Sequence, residues 1–117
     1  MTITMYGIKN CDTIRKARQW LERRDIAYHF HDYKTAGIDA GKLAAWIDEL
    51  GWEVLLNRAG TTFRKLDPAD RENLDRDKAT MLMLANPSMI KRPVLDIDGR
   101  RIVGFKSGEY EEALGVS

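Results

Sequence analysis

The spacing of apolar residues changes several times along the chain, and each change marks a new element. From Ile3 to Ile8, β-branched and aromatic side chains run into Lys9-Asn10, the pattern of a short strand that ends in a turn. Beyond Cys11, the residues Ile14, Ala17 and Leu21 fall at i, i+3 and i+7, with Arg15, Lys16, Arg18, Glu22 and Arg23 on the other face. An amphipathic helix is therefore predicted from Asp12 onward. Ile26, Tyr28 and Phe30 then alternate with Ala27, His29 and His31, which predicts a second strand. Strand, helix and strand in so short a stretch imply two parallel strands with the helix crossing one face. Cys11 then lies at the carboxyl edge of the first strand.

The middle of the chain changes to helical periodicity. Asp39 is a predicted N-cap for a helix with a buried stripe of Leu43, Trp46, Ile47 and Leu50, and Gly51 is its stop. Asp67-Pro68 predicts another helix start, and Lys78 to Ala85 a further helix closed by Asn86-Pro87. Val94 to Ile97 and Arg101 to Phe105 flank Asp98-Gly99, a dipeptide suited to a tight hairpin turn. Ser107 is the predicted cap of a short last helix that carries Glu109 and Glu112 beside Tyr110, Ala113 and Leu114. The order is βα, β, a helical insert, then ββα, an α/β plan with a four-stranded mixed sheet. No repeat or low-complexity tract interrupts it. The chain reads as one domain over residues 1–117, with a βαβ half at 1–34, a helical insert at 39–86 and a ββα half at 93–114.

Composition narrows the classes of function. A chain of 117 residues, 44% hydrophobic and 32% charged, supplies one core without disulfides and enough charge for solubility. Nineteen Lys and Arg against eighteen Asp and Glu leave a formal charge of +1, so no global field attracts nucleic acid or an anionic membrane. Neither partner is expected. Arg15, Lys16, Arg18, Arg23 and Arg24 crowd one helix, but Glu22 and Asp25 interrupt them, which describes a solvated face. Met1 to Gly7 lacks the regions of a secretory signal, and the longest apolar run, Met81 to Ala85, is far short of the roughly 18 to 20 residues that span a bilayer. A cytoplasmic protein is expected.

Cys11 is the one residue whose chemistry stands out. A lone cysteine closes no intramolecular disulfide, which suits a reducing compartment. It is either buried filler or a reactive thiol, and its place at a strand-to-helix turn makes it a candidate nucleophile. Ile14 occupies the position where a dithiol switch needs its second cysteine, so a resolving thiol must come from outside the chain. His29 and His31 have no third ligand at metal-site spacing, and no metal is assigned. Trp20, Trp46 and Trp52 are expected to be packing residues.

Three separated motifs resemble the glutaredoxin-like arsenate reductase family, which also holds the Spx regulators, and come nearest its YffB-type branch. They are Tyr6-Gly7-Ile8-Lys9-Asn10-Cys11-Asp12-Thr13, Leu55-Leu56-Asn57-Arg58-Ala59-Gly60-Thr61-Thr62-Phe63-Arg64-Lys65-Leu66 and Ile90-Lys91-Arg92-Pro93-Val94. The resemblance covers essentially the whole chain. It implies a thioredoxin-like fold, a Cys11 thiolate at the first helix N-terminus and a cis peptide before Pro93 facing it. Helix amides favour such an anion and hold its pKa below the free value of about 8.5, with Asp12 weakly opposed.

In arsenate reductases of this family three arginines hold the oxyanion. Arg92 matches one of them. The second aligns with Asn57, with Arg58 and Arg64 nearby as substitutes, and the third falls near Phe105 and Lys106. An amide and an ammonium grip an oxyanion less well than two guanidinium forks, so a glutathione-linked disulfide is implied ahead of arsenate. The substrate and glutathione site is accordingly expected at Asn10, Thr13, Asn57, Arg58, Arg64, Arg92, Pro93 and Lys106. The implied function is a single-cysteine, glutathione-dependent thiol reductase with Cys11 as catalytic nucleophile. Glutathione would be its co-substrate and glutaredoxin a further partner, with no tightly bound cofactor and a monomeric chain. Two other readings follow from the same resemblance: a true arsenate reductase, and a non-enzymatic regulator that binds RNA polymerase as Spx proteins do.

Overall fold

A computed structural model describes residues 1–116. In chain order its elements are β1 (Ile3–Gly7), α1 (Asp12–Arg23), β2 (His29–Asp32), α2 (Tyr33–Ala36), α3 (Ala40–Leu50), α4 (Trp52–Leu55) and α5 (Thr61–Arg64). They continue with α6 (Pro68–Arg71), α7 (Arg76–Ala85), a 3-10 turn at Pro87–Met89, β3 (Val94–Ile97), β4 (Arg100–Val103) and α8 (Ser107–Leu114). The chain divides into two compact units, one formed by Met1–Asp32 with the chain from Arg92 onward, the other by Tyr33–Lys91.

The first unit is built on the four-stranded mixed sheet that the sequence pattern predicts, in the order β2-β1-β3-β4. β2 runs parallel to β1, while β3 is antiparallel to both β1 and β4. Ile3 and Met5 of β1, Leu95 and Ile97 of β3 and Ile102 of β4 join Ile14, Ala17, Trp20 and Leu21 of α1 and Tyr110 of α8 in one buried cluster. The helix stripe read from the sequence is thus the face that α1 lays on the sheet, with Trp20 added to it.

Strand ends differ from the pattern for reasons found in neighbouring strands. β1 stops at Gly7 rather than Ile8, because Tyr6 pairs with Val94 and the next partner, Pro93, has no amide hydrogen to extend the ladder. β2 starts at His29 rather than Ile26, since Thr4 pairs with His29 and the preceding residues run past the start of β1. Burial still alternates there, with Ile26, Tyr28 and Phe30 half-buried and Ala27 and His29 exposed. β4 closes before Phe105, because Gly104 turns to φ +81°. The hairpin holds Asp98 and Gly99 at φ 28° and 88°, the positive angles that its tight turn requires. Ser107 does not cap α8. The Lys106 carbonyl already accepts the amides of Glu109 and Tyr110, so Lys106 holds the cap position and Ser107 is the first helical residue.

In the second unit α3 begins and ends where predicted, with the Asp39 carboxylate accepting the Lys42 N–H at 2.9 Å and Gly51 closing the helix. The Asp75 carboxylate accepts the Lys78 N–H at 2.8 Å, so α7 starts at Arg76, ahead of the predicted Lys78. Asp67-Pro68 opens only one turn, α6, and the Asp67 side chain caps nothing. α3, α4 and α7 pack together through Leu43, Trp46, Ile47, Leu55, Ala79 and Met83, all buried. After α4, Leu56 bridges Ile90, and the Asn57 N–H donates to the Met89 carbonyl at 2.7 Å. Among the described residues no helix is long and apolar enough to cross a membrane.

Candidate active site

Where β1 gives way to α1, the backbone bends so that the Lys9 carbonyl accepts the Cys11 N–H at 3.1 Å. Cys11 itself stays extended, at φ −140° and ψ 128°, in the N-cap position of α1, and its carbonyl accepts the Arg15 N–H at 2.9 Å. The first amides of the helix, which have no acceptor within it, therefore point toward this residue. Its side chain is half-buried against the first unit's core and forms no disulfide.

Burial alone raises the Cys11 pKa, but four contributions outweigh it. The Ile14 amide, a hydrogen bond from the Arg92 side chain, the Thr13 amide and the Arg92 charge all favour the anion, so the thiol lies below its ordinary value. As a neutral thiol Cys11 makes no capping hydrogen bond. Once ionised, its sulfur accepts from the Ile14 and Thr13 amides and from Arg92. Asp12, the one acidic residue of the first turn, pairs with Arg15 at 2.8 Å, which offsets its repulsion of the thiolate.

Arg92 reaches the sulfur from the segment just before β3. The Arg92–Pro93 peptide is cis, as expected, with Pro93 buried and Arg92 half-buried. Gly7 sits between the two sides of the site. A Cβ there would strike Ile14 Cδ1 and touch Arg92 Cβ at 3.8 Å. The strand end is bare of a side chain at the point where Ile14 seats the first turn of α1.

Of the sequence-predicted residues, the first unit brings Cys11, the Thr13 amide and Arg92 together. Asn10 is exposed just before the cysteine, and Lys106 is the exposed N-cap of α8. Asn57, Arg58 and Arg64 belong to the second unit. There the Asn57 Oδ1 accepts the Ala59 N–H at 3.2 Å, Arg58 lies 5.8 Å from the Trp52 ring centre, and exposed Arg64 ends α5. The sequence reading expects helix amides at Cys11 without singling out that of Ile14, and it misses Gly7. A backbone amide leaves no trace in residue identity. Gly7 does carry a signal, since glycine at a strand end marks a close approach.

His29 is exposed, and the His31 ring centre lies 4.8 Å from that of Tyr6. Among the described residues no group of three or more His, Cys, Asp or Glu could hold a metal ion. The chemistry available is thus a nucleophilic sulfur favoured as an anion, beside a guanidinium fork that binds planar oxyanions or carboxylates.

Residues 6–113 match the model of the ArsC family. A relative from Haemophilus influenzae, an uncharacterized protein, is 42% identical over 112 residues, covering 96% of this chain and 98% of that protein. The global transcriptional regulator Spx of Streptococcus mutans is 29% identical over 114 residues, 96% of this chain and 82% of its own. Among solved structures, the YffB protein is 59% identical with a TM-score of 0.94, covering 97% of this chain and 99% of its own. An arsenate reductase (ArsC) related protein from Brucella melitensis is 56% identical with a TM-score of 0.79, covering 99% and 97%. A cysteine at the start of α1, an arginine before a cis proline and a family match over nearly the whole length lead to one conclusion: the chain belongs to the ArsC family and is an arsenate reductase-like protein.

Proposed function

We propose that the chain is a single-cysteine, glutathione-dependent thiol reductase with Cys11 as its nucleophile. The observation that carries this reading is the Cys11 sulfur held between the Ile14 and Thr13 amides and Arg92. The Cys11 thiolate attacks the glutathione sulfur of a mixed disulfide, forming a Cys11–glutathione disulfide and releasing the substrate as a thiolate. A second glutathione thiolate then attacks the glutathione sulfur of that adduct. Glutathione disulfide leaves and the Cys11 thiolate is regenerated, so one free glutathione converts the mixed disulfide into the substrate thiol and glutathione disulfide. No second cysteine of the chain is required, in keeping with Ile14 three residues after Cys11.

Lowering a thiol pKa gives little rate by itself. Moving it from about 8.5 to about 6 raises the thiolate fraction at pH 7 near thirtyfold, and intrinsic nucleophilicity falls on the order of tenfold. Positioning supplies the rest, and Arg92 is the residue suited to it, as a fork for a glutathione carboxylate or an oxyanion. Asn10, Thr13, Pro93 and Lys106 extend the binding site of the first unit in this reading. A reducing cytoplasmic setting fits a lone free thiol.

The test is glutathione-dependent reduction of a glutathione mixed disulfide by the wild type and by Cys11→Ser. The proposal requires turnover by the first and only background from the second. Equal rates would remove it. A second reading, arsenate reduction, draws support from the similarity to the Brucella melitensis protein, and arsenate-dependent turnover with glutathione and glutaredoxin would favour it. Similarity to Spx supports a third, a regulator that binds RNA polymerase, for which polymerase binding without any thiol turnover would be decisive.

A further inference from the structure

In the second unit, residues 67–77 differ from the chain on either side of them. All are exposed except Leu74, which is half-buried, whereas Phe63 before them and Ala79 after them are buried. α6 carries no buried side chain, and Asp67 does not cap it. Beyond α6 the chain is extended at Glu72, with φ −96° and ψ 157°, and Asn73 takes a positive φ of 51°. Burial of apolar surface is the main force that closes a segment onto the rest of a fold, and this segment has little of it.

One charged group reaches across to it. The Lys78 ammonium, from the first turn of α7, donates to the Ala69 carbonyl at 2.6 Å and to the Glu72 carbonyl at 2.5 Å. Carbonyls at the end of a helix lack an acceptor role within it, so both are open to an outside donor. Among the described residues, no side chain from Asp67 to Leu74 makes a hydrogen bond or an ion pair of its own. The flanks are fixed separately. On one side the Leu66 N–H donates to the Phe63 carbonyl at 3.1 Å. On the other, Arg76 pairs with Asp48 of α3 at 2.7 Å, and the Asp75 carboxylate accepts the Lys78 N–H at 2.8 Å.

We propose that residues 67–74 form a strap that opens as one piece while the rest of the second unit stays folded, and that the Lys78 ammonium is the latch that closes it. Anchored flanks with a weakly packed stretch between them give two states, fastened and free. Lys78 takes part twice, with its N–H in the cap of α7 and its Nζ in the latch. Loss of the ammonium therefore frees the strap and leaves the start of α7 capped. Cys11 lies in the first unit, so the strap is independent of what that thiol reduces.

The experiment is native-state amide hydrogen exchange of the full-length protein at a series of low urea concentrations, followed by nuclear magnetic resonance. The Asp70 N–H, which donates to the Asp67 carbonyl at 2.9 Å, reports on the strap, and the Met83 N–H, in the buried part of α7, reports on the unit. In the wild type the Asp70 amide should be protected, with exchange almost independent of urea, because opening a strap exposes little surface. Exchange at Met83 should follow the steeper slope of global unfolding. Lys78→Met keeps the apolar stem and removes the ammonium. Protection of the Asp70 amide should then fall about tenfold or more, still with a flat urea dependence. The wild-type slopes test the strap without any variant. Equal slopes for Asp70 and Met83, an Asp70 amide that exchanges in the wild type as in an unstructured peptide, or unchanged Asp70 protection in Lys78→Met would each overturn the proposal.

Discussion

Helix α1 in the first unit and helices α3 and α7 in the second start from the same kind of extended capping residue, yet hold different chemistry there. Asp39 and Asp75 each turn a carboxylate back onto the amide three residues on, that of Lys42 or Lys78. In α1 the amide three residues on is Ile14, and it faces the Cys11 sulfur. A carboxylate is charged throughout the neutral range and is a weak nucleophile, so it serves only the helix. A thiol is charged over part of that range and attacks disulfides when it is. The candidate active site is therefore a capping position from which the stabilising residue has been withheld, at the expense of a cap typically worth about 0.5–2 kcal/mol. Donors that would have held a carboxylate are kept for a sulfur anion.

The largest effect that tests this comparison is on turnover. Cys11→Ser should reduce disulfide-reductase activity to background and leave thermal stability at neutral pH unchanged or raised, because serine is itself a good N-cap. A large loss of stability would mean that Cys11 belongs to the core rather than to the site. Next is Arg92→Ala, which removes a hydrogen bond and a charge from the sulfur. The reactivity midpoint of Cys11 should rise, which the pH profile of alkylation reads directly. Gly7→Ala drives a Cβ into Ile14 and should lower stability by about 1–3 kcal/mol in urea unfolding, with slower alkylation as the Ile14 amide shifts. The smallest effects belong to the ordinary caps. Asp39→Ala and Asp75→Ala should each cost about 1 kcal/mol and leave Cys11 alkylation as it is, since both lie in the second unit.

What could be read from the sequence follows the range of the forces involved. Asp39 to Gly51 carries a cap, a stripe and a stop within one stretch, and Asp98-Gly99 sets its own backbone angles, so both are found where local chemistry puts them. Strand ends answer to partners far along the chain. Pro93, opposite the end of β1, decides that strand's last residue, and the start of β1 decides where β2 can begin pairing. One-turn helices such as Tyr33–Ala36 and Thr61–Arg64 are too short to show a period. In the site, Cys11 is legible from its residue type and its place at a turn, and Arg92 from the motif before Pro93. That helix amides face Cys11 follows from its place at the helix start, but residue type does not single out the amide of Ile14, whose part is played by backbone. Asn57, Arg58 and Arg64 were reached through the family motif alone, since no local pattern ties them to a cysteine in the other unit.

The most direct measurement is the alkylation rate of Cys11 against pH in the wild-type protein. Only the thiolate reacts, so the rate climbs with pH and levels off once the thiol is fully ionised. A sulfur held by the Ile14 and Thr13 amides and by Arg92 should reach half its limiting rate clearly below the free-thiol value of about 8.5. A midpoint at or above that value would mean that burial prevails over the donors, and the account of α1 as a helix capped by a reactive thiolate would fail.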